Sequence, residues 1–248
     1  MKLIINADDF GLSEGVTYGI YDAIKNGVVS STTMMASGRA SQLAGLLTKT
    51  DNTLAVGLHL NISLGKPLTN CASLLQDGIF VKPKQQDYHL KYTVEDLDME
   101  FEAQYERFCE LCQKEPTHID SHLYTHQIYE NVKEASIRLG NKHKIPIRDC
   151  STDYFNRIEY DGRFKLKPGE SESDLTKRFF EIIDDHKSKC DELEILAHPA
   201  FMDDYMIKSS TYNIQRTLEY NVLKSEEVKE YLLKNSIELT NYKFMKRK

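Results

Sequence analysis

The segment Ile5-Asn6-Ala7-Asp8-Asp9-Phe10-Gly11 sets two carboxylates side by side directly after an apolar run. Other groups able to bind a metal or move a proton recur along the chain, each at the end of a short β-type segment. His59 falls near the end of Leu54–Asn61. Asp120, Ser121 and His122 close Thr117–His122, with His126 just beyond. Arg148 closes Ile145–Asp149, and His198 closes Leu193–His198. Two imidazoles and a carboxylate are a recurring donor set for a divalent cation with open positions. A cation also gives the adjacent aspartates separate jobs: one binds it, and the other takes a proton from bound water. Neighbours on an extended end point in different directions, so both jobs fit the pair. Taken singly, each residue has a structural reading, as a hydrogen-bonded histidine, a cap or turn aspartate, or a surface-paired arginine. The gathering of these types at one end of several segments favours chemistry.

Such ends meet only on a scaffold that aligns them. β-type and helical segments alternate, which implies an α/β fold of mostly parallel strands with covering helices. Lys2–Asn6 reads as the first strand. A helix follows, with Ser13 as N-cap, Val16, Ile20 and Ile24 along one face, and Gly27 as its stop. Val28–Ala36 and Leu54–Asn61 read as strands two and three, with a short helix between them. An irregular stretch over 62–92 is long enough to serve as a lid or substrate wall. Helix resumes after the N-cap Thr93. Thr117–His122 reads as strand four and Ile145–Asp149 as strand five. A second irregular stretch covers 150–171, and Ser173 opens the next helix. Leu193–His198 reads as strand six, Ser225 caps another helix, and SIELTNY ends the pattern as a last strand. No repeat or linker divides residues 1–248, so one domain is expected. About seven strands in this length suit a TIM-like (β/α) barrel, distorted or incomplete, with its chemistry at the C-terminal strand ends.

Composition narrows the classes. A net charge of −6 argues against a nucleic-acid binder. No apolar stretch approaches a membrane span, and the N-terminus lacks a secretory apolar region, so the expected location is the cytoplasm. Five cysteines at irregular spacing do not suit a disulfide framework. Cys109 and Cys112 sit late in a helical pattern, where packed thiols are the better reading than a redox pair. Asp9-Phe10-Gly11 spells a kinase motif without any of its companions. His118, His122 and His126 have helical spacing, but no glutamate completes a metalloprotease motif and the local residues favour a strand.

The ordered motifs NADDFG, VSSTTMM, GLHLN, GKPL, THIDSH and HPAF resemble the YdjC-like carbohydrate deacetylases, over Asn6 to about Asp203. The resemblance implies a distorted (β/α) barrel that hydrolyses N-acetyl groups of amino sugars, chitooligosaccharides among them, with a divalent metal usually described as magnesium. It implies Asp9, His59 and His122 as metal ligands, Asp8 as base, His198 as acid, and Arg148 as the group that keeps Asp8 ionised and oriented. It also implies a possible homodimer. One departure stands out: many relatives carry further histidines directly after HIDSH, where this chain has Leu123 and Tyr124. Ligand softness points elsewhere than the family description, since two imidazoles and a carboxylate suit zinc or another transition metal better than magnesium. Two other readings compete. A metal phosphoesterase would want more carboxylates or a basic clamp, of which Arg148 alone is evident. A non-catalytic sugar-binding barrel would have no need of the intact set of acids and imidazoles.

Overall fold

The computed structural model describes residues 1–83 and 85–248; Lys84, inside the irregular stretch expected over 62–92, lies outside the described residues. Nine strands are described: β1 Lys2–Phe10, β2 Ser31–Met34, β3 Val56–Leu60, β4 Leu75–Gln76, β5 Ile79–Phe80, β6 Ile119–Ser121, β7 Glu159–Asp161, β8 Glu192–Ala197 and β9 Glu238–Leu239. The helices are α1 Glu14–Asn26, α2 Ser41–Thr50, α3 Val94–Cys112, α4 Thr125–Ile128, α5 Glu130–His143, α6 Glu172–His186, α7 Asp204–Ser209, α8 Ile214–Lys224 and α9 Glu226–Lys234. Short 3-10 turns include His122–Tyr124 and Tyr242–Phe244.

The main sheet runs β6-β3-β2-β1-β8-β7, with every pair parallel, and β9 joins β1 beside Lys2 and Leu3. It curls as a half-barrel with helices around it, the incomplete form of the barrel expected from the alternation. β1 is central and covered on both faces, which is why it reads as an unbroken apolar run. Leu3, Ile5 and Ala7 pair in register with Leu193, Ile195 and Ala197, all fully buried. Val16, Ile20 and Ala23 of α1 join the same core. Burying each Val, Leu or Ile side chain is worth roughly 1.5–3 kcal/mol before the ordering entropy is subtracted.

Three local expectations change. Ile145–Asp149 forms a single parallel bridge, Ile119 to Ile147, rather than a strand. Pro146 has no N–H to give, and Asp149 turns the chain at φ +56°. The helix after residue 171 is capped by Ser171, not Ser173. The Ser171 hydroxyl accepts from Asp174 N at 3.3 Å, and the Asp174 carboxylate accepts from Ser171 N at 2.9 Å, a closed capping box. The stretch 150–171 contains β7, an edge strand. Residues 204–224, unassigned from sequence, hold α7 and α8. The stretch 62–92 is mostly folded back onto α3, where buried Glu100 accepts from Leu68 N and Thr69 N. Of that stretch, Ser63, Leu64 and Lys82 reach the cavity described below.

Candidate active site

The adjacent aspartates owe their placement to a bulge. Ala7 pairs with Thr32 and Phe10 with Met34, so β1 spends Asp8 and Asp9 opposite the single residue Thr33. Asp9 takes φ +74°, a conformation that aspartate tolerates better than most residues. Plain strand alternation would send the two side chains to opposite faces. With the bulge, both carboxylates line one cavity of ≈ 330 Å³ at the C-terminal ends of the strands.

Asp8 is held on both oxygens. Arg148 donates from Nη2 to Oδ1 at 2.7 Å and from Nη1 to Oδ2 at 2.9 Å, and Asn6 Nδ2 donates to Oδ1 at 2.9 Å. Burial works to raise the Asp8 pKa. The charge and hydrogen bonds of Arg148 overcome it and keep the carboxyl well below the usual range. Arg148 is fully buried and has two further partners, Asp120 Oδ2 at 2.8 Å and Glu194 Oε1 at 2.8 Å.

His59 points its two nitrogens at different tasks. An ionised carboxylate only accepts, so Nδ1–H donates to Asp120 Oδ1 at 2.6 Å, and Thr33 Oγ1 donates to Asp120 Oδ2 at 2.8 Å. Nε2 is left buried without a hydrogen bond among the described residues, 3.3 Å from Asp9 Oδ1. Burial disfavours the imidazolium, but Asp120, Asp9 and Asp8 push the pKa up to about 10. His122 comes off the 3-10 turn after β6, followed by Leu123 and Tyr124 at φ +55° and +59°. Its Nδ1 lies 2.9 Å from Asp9 Oδ1. Donor atoms of Asp9, His59 and His122 lie within 4.8 Å of one another, close enough to hold one cation. The orphaned His59 Nε2 and the carboxylate behind its other nitrogen match the way metal-binding imidazoles are oriented.

The other side of Asp9 meets a residue that the sequence reading missed. Arg216, in the first turn of α8, donates from Nη2 to Asp9 Oδ2 at 2.7 Å. Burial raises the Asp9 pKa, while Arg216 and then His122 bring it well below the usual range. His198 follows β8 directly. Its backbone N–H donates to Glu219 Oε2 at 2.5 Å, and the Tyr212 hydroxyl donates to the same carboxylate. The loop is clamped to α1 at Gly19, where a Cβ would stand 2.2 Å from Phe201 N. His198 Nδ1 is buried without a hydrogen bond among the described residues. Burial, then the Arg216 charge, push the His198 pKa down to about 3, so its ring is neutral at rest.

The structure thus brings Asp8, Asp9, His59, His122 and His198 to one cavity, with Arg148 directly behind Asp8. His126 is placed elsewhere. Its Nε2–H donates to Arg148 O at 3.2 Å and its Nδ1 accepts from Ser121 Oγ at 2.6 Å, so it braces the Arg148 turn. His118 is fully buried and stacks on Tyr242 at 3.8 Å. Besides Arg216, the supporting roles of Asp120, Glu194 and Glu219 went unread. A signal existed for Glu194, a lone charge inside the apolar run LEILA. Arg216 offered none, because arginine in an amphipathic helix ordinarily faces water.

The YdjC-like protein family model matches residues 2–234. A carbohydrate deacetylase 2 of Listeria innocua is 40% identical over 246 residues, covering 98% of each chain. A chitooligosaccharide deacetylase of Escherichia fergusonii is 36% identical over 250 residues, covering 97% of each. Among solved structures, an Enterococcus faecalis V583 protein provisionally described as acting in cellobiose-phosphate cleavage has a TM-score of 0.85 at 30% identity, covering 98% of this chain and 97% of its own. A family 4 carbohydrate esterase of Streptomyces lividans shares the fold, with a TM-score of 0.56 at 9% identity over 99% of this chain and 95% of its own. With a family match over nearly its whole length and relatives of this similarity, the chain belongs to the YdjC-like family.

Proposed function

We propose that the chain is a metal-dependent carbohydrate deacetylase that removes N-acetyl groups from amino sugars or their oligosaccharides. The observation that carries this reading is the grouping of Asp9, His59 and His122 donors beside an ionised Asp8 in one cavity. The names of the relatives, carbohydrate deacetylase and chitooligosaccharide deacetylase, support the substrate class. Asp9, His59 and His122 would hold the cation. A bound divalent cation supplies Lewis-acid activation of water and of the acetyl carbonyl.

The remaining work falls to the side chains. Asp8 takes the proton of the attacking water, and Arg148 keeps Asp8 charged and aimed for that step. His198 protonates the leaving sugar nitrogen. Because His198 rests neutral, its proton must arrive during the cycle, and Asp8 carries one after the attack. Acetate and a free amine are the products. A cavity of ≈ 330 Å³ is at the small end for ligand sites.

Magnesium follows from the family resemblance, whereas the donor set favours zinc, cobalt or nickel. The phosphoesterase reading is weaker. A second group of donors, Asp8, His59 and Asp120, is fully buried, and Arg148 already holds both of its aspartates. A non-catalytic barrel leaves the grouping of Asp9, His59 and His122 donors unused. We further propose one domain spanning the chain, supported by a core cluster running from Leu3 to Ile237. Five unpaired cysteines fit a reducing compartment, the cytoplasm. No helix among the described residues is long and apolar enough to cross a membrane. A homodimer is the family expectation, and sedimentation tests it.

The functional test is acetate release from N,N′-diacetylchitobiose by metal-stripped protein, with magnesium, zinc, cobalt or nickel restored singly. Release that depends on one cation supports the reading and names the metal. Metal binding without release under any cation would move the substrate to another acylated sugar or to a phosphate ester.

A further inference from the structure

Arg216 has no task in the mechanism above, yet it is bonded to Asp9. It reaches the site from α8, 207 positions along the chain from its partner. Nη2 donates to Asp9 Oδ2 at 2.7 Å and Nε donates to Tyr212 O at 3.0 Å. Nη1 is buried with no hydrogen-bond partner among the described residues. An arginine withdrawn from water with one nitrogen unpaired is costly to place. Its position therefore serves Asp9 rather than its own hydrogen bonding.

The two aspartates differ in what their oxygens have left to offer. Both Asp8 oxygens are taken by Arg148, which makes Asp8 a poor ligand. On Asp9 an arginine takes only Oδ2. Oδ1 faces His122 Nδ1 at 2.9 Å and His59 Nε2 at 3.3 Å. A free carboxylate binds a cation through one oxygen or through both. We propose that Arg216 is a positioning residue: by occupying Oδ2 it makes Asp9 meet a divalent cation through Oδ1 alone, on the side of the two imidazoles. Restricting Asp9 in this way keeps coordination positions open for water and substrate. The inference rests on the metal-dependent reading of the same site.

The experiment titrates Co²⁺ into metal-stripped wild type, Arg216→Gln and Arg216→Lys, with visible absorption and calorimetry as readouts and far-UV circular dichroism as the check on folding. In Arg216→Gln the expected result is a visible spectrum altered toward a higher coordination number. Turnover should fall more than KM changes. Arg216→Lys keeps the charge but loses the fork and the bond to Tyr212, so a smaller shift in the same direction is expected. A purely electrostatic role predicts otherwise for Arg216→Gln, tighter Co²⁺ binding with an unchanged spectrum, and that result overturns the inference. Should Arg216→Gln fail to fold, a wild-type spectrum and affinity in Arg216→Lys overturn it equally. Wild type that binds no Co²⁺ removes the metal-dependent reading itself. Wild type that binds, alongside variants that bind identically, removes only the role of Arg216.

Discussion

Asp8 and Asp9 are neighbours in sequence and each is paired with an arginine, but the two pairs are built differently. Arg148 stands behind Asp8, fully buried, and serves Asp8, Asp120 and Glu194 at once. Arg216 arrives on a helix packed outside the sheet and gives Asp9 a single bond. The first pair is part of the scaffold, and the second is a contact added from its rim. The contrast indicates where variation will be tolerated. Changes around Arg148 should disturb folding and chemistry together, while changes around Arg216 should act mainly on the site.

The largest expected effect tests the Asp8 side. Asp8→Asn keeps the shape and one acceptor oxygen for Arg148 but loses the second acceptor and the proposed base, so turnover should fall about 100- to 10,000-fold while metal content stays unchanged. Acetate release and metal analysis measured together check this, and near-normal turnover would remove Asp8 from the role. Next comes Arg148→Leu, which strands three buried carboxylates. A loss of about 3–5 kcal/mol in urea unfolding is expected. If Arg216→Leu proved equally damaging to stability, the distinction between scaffold and rim would fail. Asp120→Asn should then weaken cation binding about 10- to 100-fold, because a neutral amide with one acceptor oxygen cannot serve His59, Thr33 and Arg148 together. Chelator competition measures that loss.

The smallest effect concerns pH. Burial raises the Glu219 pKa to about 7 from its ordinary 4.5, against the hydrogen bonds from Tyr212 and His198 N. The folded state therefore holds a proton that the unfolded chain releases. The stability this provides is complete below about 4.5 and is lost as pH rises through about 7. Between pH 5.5 and 7 the loss is about 1–2 kcal/mol. Glu219→Gln, which imitates the protonated form, should flatten that slope. An unchanged slope in the variant would assign the pH dependence to another group.

How much of this was legible in sequence follows the same division. The strands announce themselves through apolar runs, and polar residues at their ends mark the mouth, so Asp8, His59, His122, Arg148 and His198 could be gathered before any coordinates. Strand five failed because Pro146 breaks the hydrogen-bonding ladder, yet Arg148 still arrived where a strand would have carried it. The bulge at Asp8 and Asp9 was not legible. Register is a property of two strands, and nothing in NADDFG alone says that Thr33 will face both residues. Arg216 was hidden for a related reason, since only tertiary packing turns that face of α8 inward.

The strand order has a consequence for how the protein is made. β1 lies at the centre of the sheet, yet its register partner β8 follows roughly 190 residues later. At a synthesis rate of about 5–20 residues per second, some 10–40 seconds pass between the emergence of the two. Throughout that interval the strand bearing both aspartates has one bare edge, and neither His198 nor Arg216 yet exists. The nascent chain then carries an unpaired parallel edge along β1, the kind of surface onto which a strand of another chain can add.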